Sequence, residues 1–157
     1  MAKPTKDEIR ELASNRQARR DYEIEDTFEA GMVLLGTEVK SCRLGRVQLK
    51  DAYARPQGDK VVLYKLHIAH YTHASVDANH DPERPRTLLL KAHEIRRLIG
   101  KSERAGYTLI PLRVYLKGAW IKVELALARG RSTHEKRDAI KRKMVEREVR
   151  QEMSRRR

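Results

Sequence analysis

The chain has 157 residues with a net charge of +13 at neutral pH, and its charged residues make up 36% of the total against 39% hydrophobic. That length favours one domain with one core, and the balance excludes a fully disordered chain. A single cysteine, Cys42, excludes an intramolecular disulfide and suits a reducing compartment. With no apolar leader and no apolar run near the roughly 20 residues a bilayer span needs, the expected location is the cytoplasm, with no membrane.

In chain order, the spacing of Ile9, Leu12 and Ala13 predicts a short helix over Lys6 to Ser14, followed by a basic stretch, NRQARRDY. From Tyr22 the period becomes two. Tyr22, Ile24 and Phe28 are expected on one face of a strand, with Glu23, Glu25 and Glu29 on the other and Gly31 marking a bulge or a close backbone approach. TEVKSCRLG predicts a helix with Thr37 as N-cap, Val39 and Cys42 inward and Gly45 closing it. A hairpin turning at Gln57, Gly58 and Asp59 should point Tyr64, Leu66 and Ile68 inward. Ala69 to Arg86 has no periodicity and reads as a long loop.

A helix from Ala92 to Ala105 should bury Ile95, Leu98 and Ile99 and leave Arg96 and Arg97 outside. The strongest strand signal is YTLIPLRVYLKGAWIKVELALARG. It predicts a hairpin that buries Leu112, Val114, Leu116, Ile121, Val123, Leu125 and Leu127 and displays Arg113, Tyr115, Trp120, Lys122 and Glu124. Short hairpin-connected strands with two or three short helices predict a mainly β fold, an OB-like antiparallel barrel spanning residues 1–130.

Residues 131–157 form a tail of different character. From Arg129 to Arg157 there are 12 Lys or Arg against 5 Asp or Glu, a net +7. Ile140, Met144, Val145, Val149 and Met153 make only a narrow stripe, so the tail is expected to be disordered when free and helical against an anionic surface.

Sites for chemistry are few. The chain has no phosphate-binding glycine loop and no serine elbow. Cys42 reads as buried filler, and the histidines His67, His70, His73 and His80 do not share one face of a strand, so neither a catalytic residue nor a metal or other cofactor is expected. Cations interleaved with aromatics fit RNA, because rings stack on bases while Arg and Lys hold phosphates. On these features alone a ribosomal protein, or a general RNA chaperone with a basic extension, fits as well.

Several blocks then occur in one order: NRQARRDYEIEDTFEAGMVLLGTEVKSCRLGRVQLKDAYAR, HDPERPRTLLL, EIRRLIGK, PLRVYLKGAWIKVELALARG and HEKRD. Together they resemble the SsrA-binding protein (SmpB) family, partners of transfer-messenger RNA (tmRNA, or SsrA) in trans-translation. The resemblance implies an OB-like body that binds the tRNA-like domain of that RNA and brings it to stalled ribosomes for ribosome rescue. It implies a tail in the decoding centre and the empty mRNA channel, and delivery of the charged RNA by elongation factor Tu with GTP. It implies a monomeric adaptor and no enzyme. Asn15, Tyr22, Glu29, Leu89 and Lys122 stand at the family's RNA-binding positions, with Arg16 and Arg19 in the same basic stretch. His134 stands at the family's decoding-centre histidine. The triplet after it, usually Asp-Lys-Arg, is here Glu135, Lys136 and Arg137.

Overall fold

A computed structural model describes residues 8–104, 106–131 and 133–156, without the side chains of 133–136 and 139. The strands are β1 (Ile9–Ser14), β2 (Tyr22–Met32), β3 (Val47–Gln48), β4 (Tyr53–Gln57), β5 (Lys60–Tyr64), β6 (His67–Ile68), β7 (Arg86–Leu89), β8 (Tyr107–Lys117) and β9 (Trp120–Gly130). The α-helices are α1 (Arg16–Asp21), α2 (Gly36–Arg43), α3 (Ala92–Ser102) and α4 (Thr133–Arg155). Strand pairing runs β8-β4-β5-β7-β2-β9 and returns to β8, all antiparallel, while β3 and β6 form a separate ladder. This is the expected mainly β, OB-like architecture.

The β4–β8 seam is a single residue pair, Ala54 with Leu109, which leaves the far half of the β8 edge open. That edge explains the first departure from expectation. Residues 9–14 are not helical, and Lys6 and Asp7 lie outside the described residues. Ile9 to Ser14 instead pair with Arg113 to Lys117. An open edge presents unsatisfied N–H and C=O groups, and covering it outweighs a weak helix propensity. Helix begins only at Arg16: Asn15 Oδ1 accepts from the Ala18 N–H at 3.1 Å and caps α1.

Two β-bulges divide the apolar residues between two cores. Along β2, the step from Ile24 to Asp26 matches a single step on β9, from Ala128 to Leu127. On β8 the step from Pro111 to Arg113 matches Leu125 to Glu124. An extra residue turns the preceding stretch over to the opposite face. So Phe28 and Val114 lie in the main core with Leu125 and Leu127. Leu112 instead joins Ala18, Ile110, Ala126 and Ala128 in a smaller cluster beneath α1, and Tyr22 and Ile24 pack against it. The single face expected for Tyr22, Ile24 and Phe28, and for Leu112 and Val114, is therefore split.

Smaller departures have local causes. The bulge lies upstream of Gly31, and an added Cβ there would meet Leu89 Cβ at 3.4 Å, an ordinary contact, so neither expected reason for a glycine applies. Thr37 does not cap α2, because Glu38 Oε1 accepts from the Leu35 N–H at 2.8 Å and does that work. Gly45 ends α2 as expected, at φ +75°. Lys65 adopts φ +59°, which breaks the alternation: Leu66 and Ile68 are buried, but Tyr64 stacks outside on Tyr53, ring centroids 5.5 Å apart. In α3, Leu98 is buried and Ile95 and Ile99 are partly so.

The loop from Ala69 contains a short 3-10 turn, Val76–Ala78, and ends in β7, a strand too short to show a period. It is held by buried polar groups. The Arg86 guanidinium, fully buried, donates to Glu38 Oε2 at 2.6 Å, to Pro82 O at 3.1 Å and to Leu66 O. Glu38 also accepts from Arg84 at 2.6 Å. Burial pushes the Glu38 carboxyl towards protonation, but Arg84, the Leu35 N–H and Arg86 outweigh it and hold its pKa below the ordinary value. His80, also buried, bridges Thr37 Oγ1 and Ile68 O, each at 2.9 Å.

Candidate nucleic-acid interface

The seven residues expected to bind RNA do not form one patch. Glu29, Leu89 and Lys122 come together where β2, β7 and β9 adjoin. Gly31 pairs with Leu89 on one side and Lys122 on the other. Leu89 is 58% exposed and Trp120 73%, and both line a cleft of about 470 Å³ with Gly31, Met32, Leu34, Val39, Ile121 and Lys122. Exposed apolar surface beside a lysine offers a face for a base or ribose and a cation for phosphate.

Glu29 is held rather than left loose in solvent. Its carboxylate accepts from the Tyr115 hydroxyl and from Lys117 Nζ at 3.2 Å. The Tyr115 hydrogen bond, with help from Lys117 and Lys122, keeps the Glu29 carboxyl below the ordinary carboxylate range despite some burial. Burial, then the hydrogen bond to Glu29, raises the Tyr115 phenol well above its ordinary value. The Arg113 guanidinium lies 4.5 Å from the centre of the Tyr115 ring, and its Nε donates to Glu124 at 2.5 Å. Tyr115, expected on the solvent side, is thus 2% exposed and serves as the floor of this network. The result is an ionised acceptor fixed in place beside Lys122.

Asn15 and Tyr22 lie elsewhere. They line a second cleft, of about 420 Å³, with Gln17, Lys50, Asp51, Arg55, Lys65 and the Tyr53 ring. The Arg55 guanidinium is 5.1 Å from the Tyr53 ring centre. Asp51 and Lys65, both with φ near +60°, are the non-glycine residues of left-handed conformation among the described residues. Sequence reasoning missed Lys50, Arg55 and Lys65 because no periodicity joins them; only the hairpin brings them to Asn15.

Arg16 and Arg19 form a third setting. With Arg20 they face Ile140, Lys143, Met144 and Arg147 of α4 across a groove of about 400 Å³. The tail is thus a 23-residue helix that includes the backbone of His134 to Arg137. Arg137 is exposed, while the side chains of His134, Glu135 and Lys136 lie outside the described residues. Of the helix α3 cations, Arg97 is engaged by Asp26 at 3.0 Å and Lys101 lies 3.9 Å from it.

Cys42 is fully buried, and burial pushes its thiol up to about 12. No group of three or more His, Cys, Asp or Glu among the described residues is placed to hold a metal ion. The His70 and His80 rings meet edge to face at 5.8 Å, and no helix among the described residues is long and apolar enough to cross a membrane.

An OB-like barrel with an aromatic and cationic surface, a fixed carboxylate and a basic helical extension defines a nucleic-acid-binding protein. The comparisons narrow that class. The SmpB protein family model matches residues 12–155. An SsrA-binding protein of Syntrophobacter fumaroxidans is 54% identical over 145 residues, 92% of this chain and 89% of that relative. Another, from Caldanaerobacter subterraneus subsp. tengcongensis, is 51% identical over 144 residues, 92% of this chain and 90% of its own. A solved chain described as "tmRNA-SmpB: a journey to the center of the bacterial ribosome" superimposes with a TM-score of 0.65 at 47% identity, covering 81% of this chain and 92% of that one. The chain belongs to the SmpB family.

Proposed function

We propose that this protein is an RNA-binding adaptor that recognises the tRNA-like domain of transfer-messenger RNA and carries it to stalled ribosomes for trans-translation. The observation that carries this reading is the Glu29–Leu89–Lys122 patch, where exposed apolar surface, a cation and a fixed acceptor converge. A carboxylate repels phosphate, so Glu29 reads a hydroxyl or a base edge and not the backbone. Lys122 holds phosphate, and Leu89 with Trp120 packs against a ribose or base. Names of relatives and of the similar solved chain point the same way.

Asn15 supports the surface by capping α1, and Tyr22 joins Lys50, Arg55 and Lys65 around the second cleft. The tail acts on the ribosome, with His134, Glu135, Lys136 and Arg137 in the decoding centre and the rest of α4 along the mRNA channel. The protein works as a cytoplasmic monomer, catalyses no reaction and meets elongation factor Tu with GTP through the charged RNA.

The test is competition binding between a tRNA-like-domain transcript and an elongator tRNA of similar size across a salt series. Strong selectivity for the transcript, with an affinity that falls steeply with salt, is expected. Equal affinity for both RNAs would refute the reading.

A further inference from the structure

Lys122 stays unpaired beside a carboxylate that could take its charge. Its ammonium makes no hydrogen bond or ion pair among the described residues, and Nζ lies over Gly31, 3.8 Å from where a Cβ would stand. Yet Glu29 stands two residues before Gly31 on β2, and Gly31 pairs with Lys122. That diagonal spans about 7–8 Å, within reach of two long side chains of opposite charge. Glu29 turns elsewhere. Its carboxylate accepts from the Tyr115 hydroxyl and from Lys117 Nζ, at 3.2 Å to one oxygen and 3.4 Å to the other. Glu124, directly opposite Glu29 on β9, is held by Arg113 at 2.5 Å.

We infer that Tyr115 is a positioning residue that keeps Glu29 from pairing with Lys122, and so leaves the lysine's charge for an RNA phosphate. This rests on the adaptor reading. Tyr115 stands opposite Lys122 on the β8–β9 ladder, and its hydroxyl reaches a carboxylate on β2. Its side chain therefore crosses β9, from the position of Lys122 towards that of Glu124. At 2% exposure it lies beneath the surface that meets RNA and touches no ligand itself. Arg113, bound to Glu124, packs 4.5 Å from the centre of the Tyr115 ring. Of the groups that hold the Glu29 carboxyl ionised, Tyr115 acts most strongly, ahead of Lys117 and then of Lys122, which acts through its charge alone. Without the hydroxyl, Glu29 keeps only Lys117. A carboxylate that has lost a donor gains by moving to the nearest unpaired cation. The Glu29–Lys122 pair then removes an acceptor and a phosphate contact together, although neither residue has changed.

The experiment measures binding of the full-length chain to the tRNA-like-domain transcript across a salt series. Wild type, Y115F, E29Q, K122A, Y115F/K122A and Y115F/E29Q are compared, and thermal melting checks that each is folded. Loss of one phosphate contact reduces the salt slope by about 0.7 to 0.9. Y115F is expected to show that reduction, although it changes no charge, and to bind about tenfold more weakly. Y115F/K122A should have the slope of K122A, because one contact is lost only once. Y115F/E29Q should regain the slope of E29Q, since no carboxylate is left to capture Lys122. A second measurement needs only the wild type. Nuclear magnetic resonance should find no coupling through a hydrogen bond between the Lys122 ammonium and the Glu29 carboxylate.

An unchanged slope in Y115F overturns the inference. So does a reduced slope that E29Q fails to restore, because the loss then comes from packing and not from the carboxylate. A slope in Y115F/K122A well below that of K122A overturns it too. If Y115F does not fold, a Glu29–Lys122 coupling in the wild type still overturns it, and its absence there supports it. Selective binding of the transcript by wild type is the separate check on the adaptor reading, so the two failures are told apart.

Discussion

Two cation-rich regions of this chain use their charge in opposite ways. In the loop that leads into β7, Arg86 is fully buried and all of its bonds go to the fold: Glu38, Leu66 O and Pro82 O. In α1 and α4 the arginines and lysines of the groove have no partner among the described residues, and the described side chains of α4 are exposed except that of Asp138, which is partly buried. A buried cation holds structure because leaving it unpaired is costly. An exposed one contributes little to stability and remains available to a ligand. Charge density alone therefore does not mark an interface; the absence of internal partners does.

The largest expected effect tests the exposed side of this contrast. A chain ending at Gly130 should bind the tRNA-like domain nearly as well as wild type yet fail to tag peptides on stalled ribosomes. Residual tagging in a reconstituted translation assay would show that the tail is dispensable. The buried side is tested by E38Q, which leaves Arg86 with only carbonyl acceptors. It should lower stability by about 3–5 kcal/mol without changing RNA selectivity, measured by urea unfolding.

K122A should weaken transcript binding about tenfold, about 1.4 kcal/mol, and reduce the salt slope by about 0.7 to 0.9. An unchanged slope would remove Lys122 from phosphate contact. The smallest effect concerns pH. Glu38 and Glu29 both have folded pKa values below the ordinary 4.5. Their contribution is present above that value and is lost as pH falls through the folded pKa. Melting temperature should therefore fall below pH 4.5 in wild type and less steeply in E38Q.

The sequence made the barrel readable where periodicity was long. The β8–β9 hairpin, β2 and α3 are all visible in their alternation. It hid whatever depends on pairing partners. β1 resembles a helix until the open edge of β8 is known, and β7 is four residues long. Leu89 was legible only through the family resemblance; its exposure comes from its fixed place beside Gly31. The separation of Asn15, Arg16 and Lys122 into three settings was also illegible, since nearness in sequence says nothing about which end of a ladder a residue occupies. Arg97, expected only on the outside of its helix, is there an intramolecular partner of Asp26.

The two bulges have a further consequence. Residues upstream of Asp26 and of Arg113 face outward only because each strand carries one surplus residue. Deleting the exposed Glu25 would swing Tyr22 and Ile24 from beneath α1 into the barrel interior, and would withdraw the seat of the helix that stands beside the tail. Length is thus a more constrained property than side-chain identity at that position. Substitutions of Glu25 should be nearly silent in a deep mutational scan, while its single-codon deletion should read as a null.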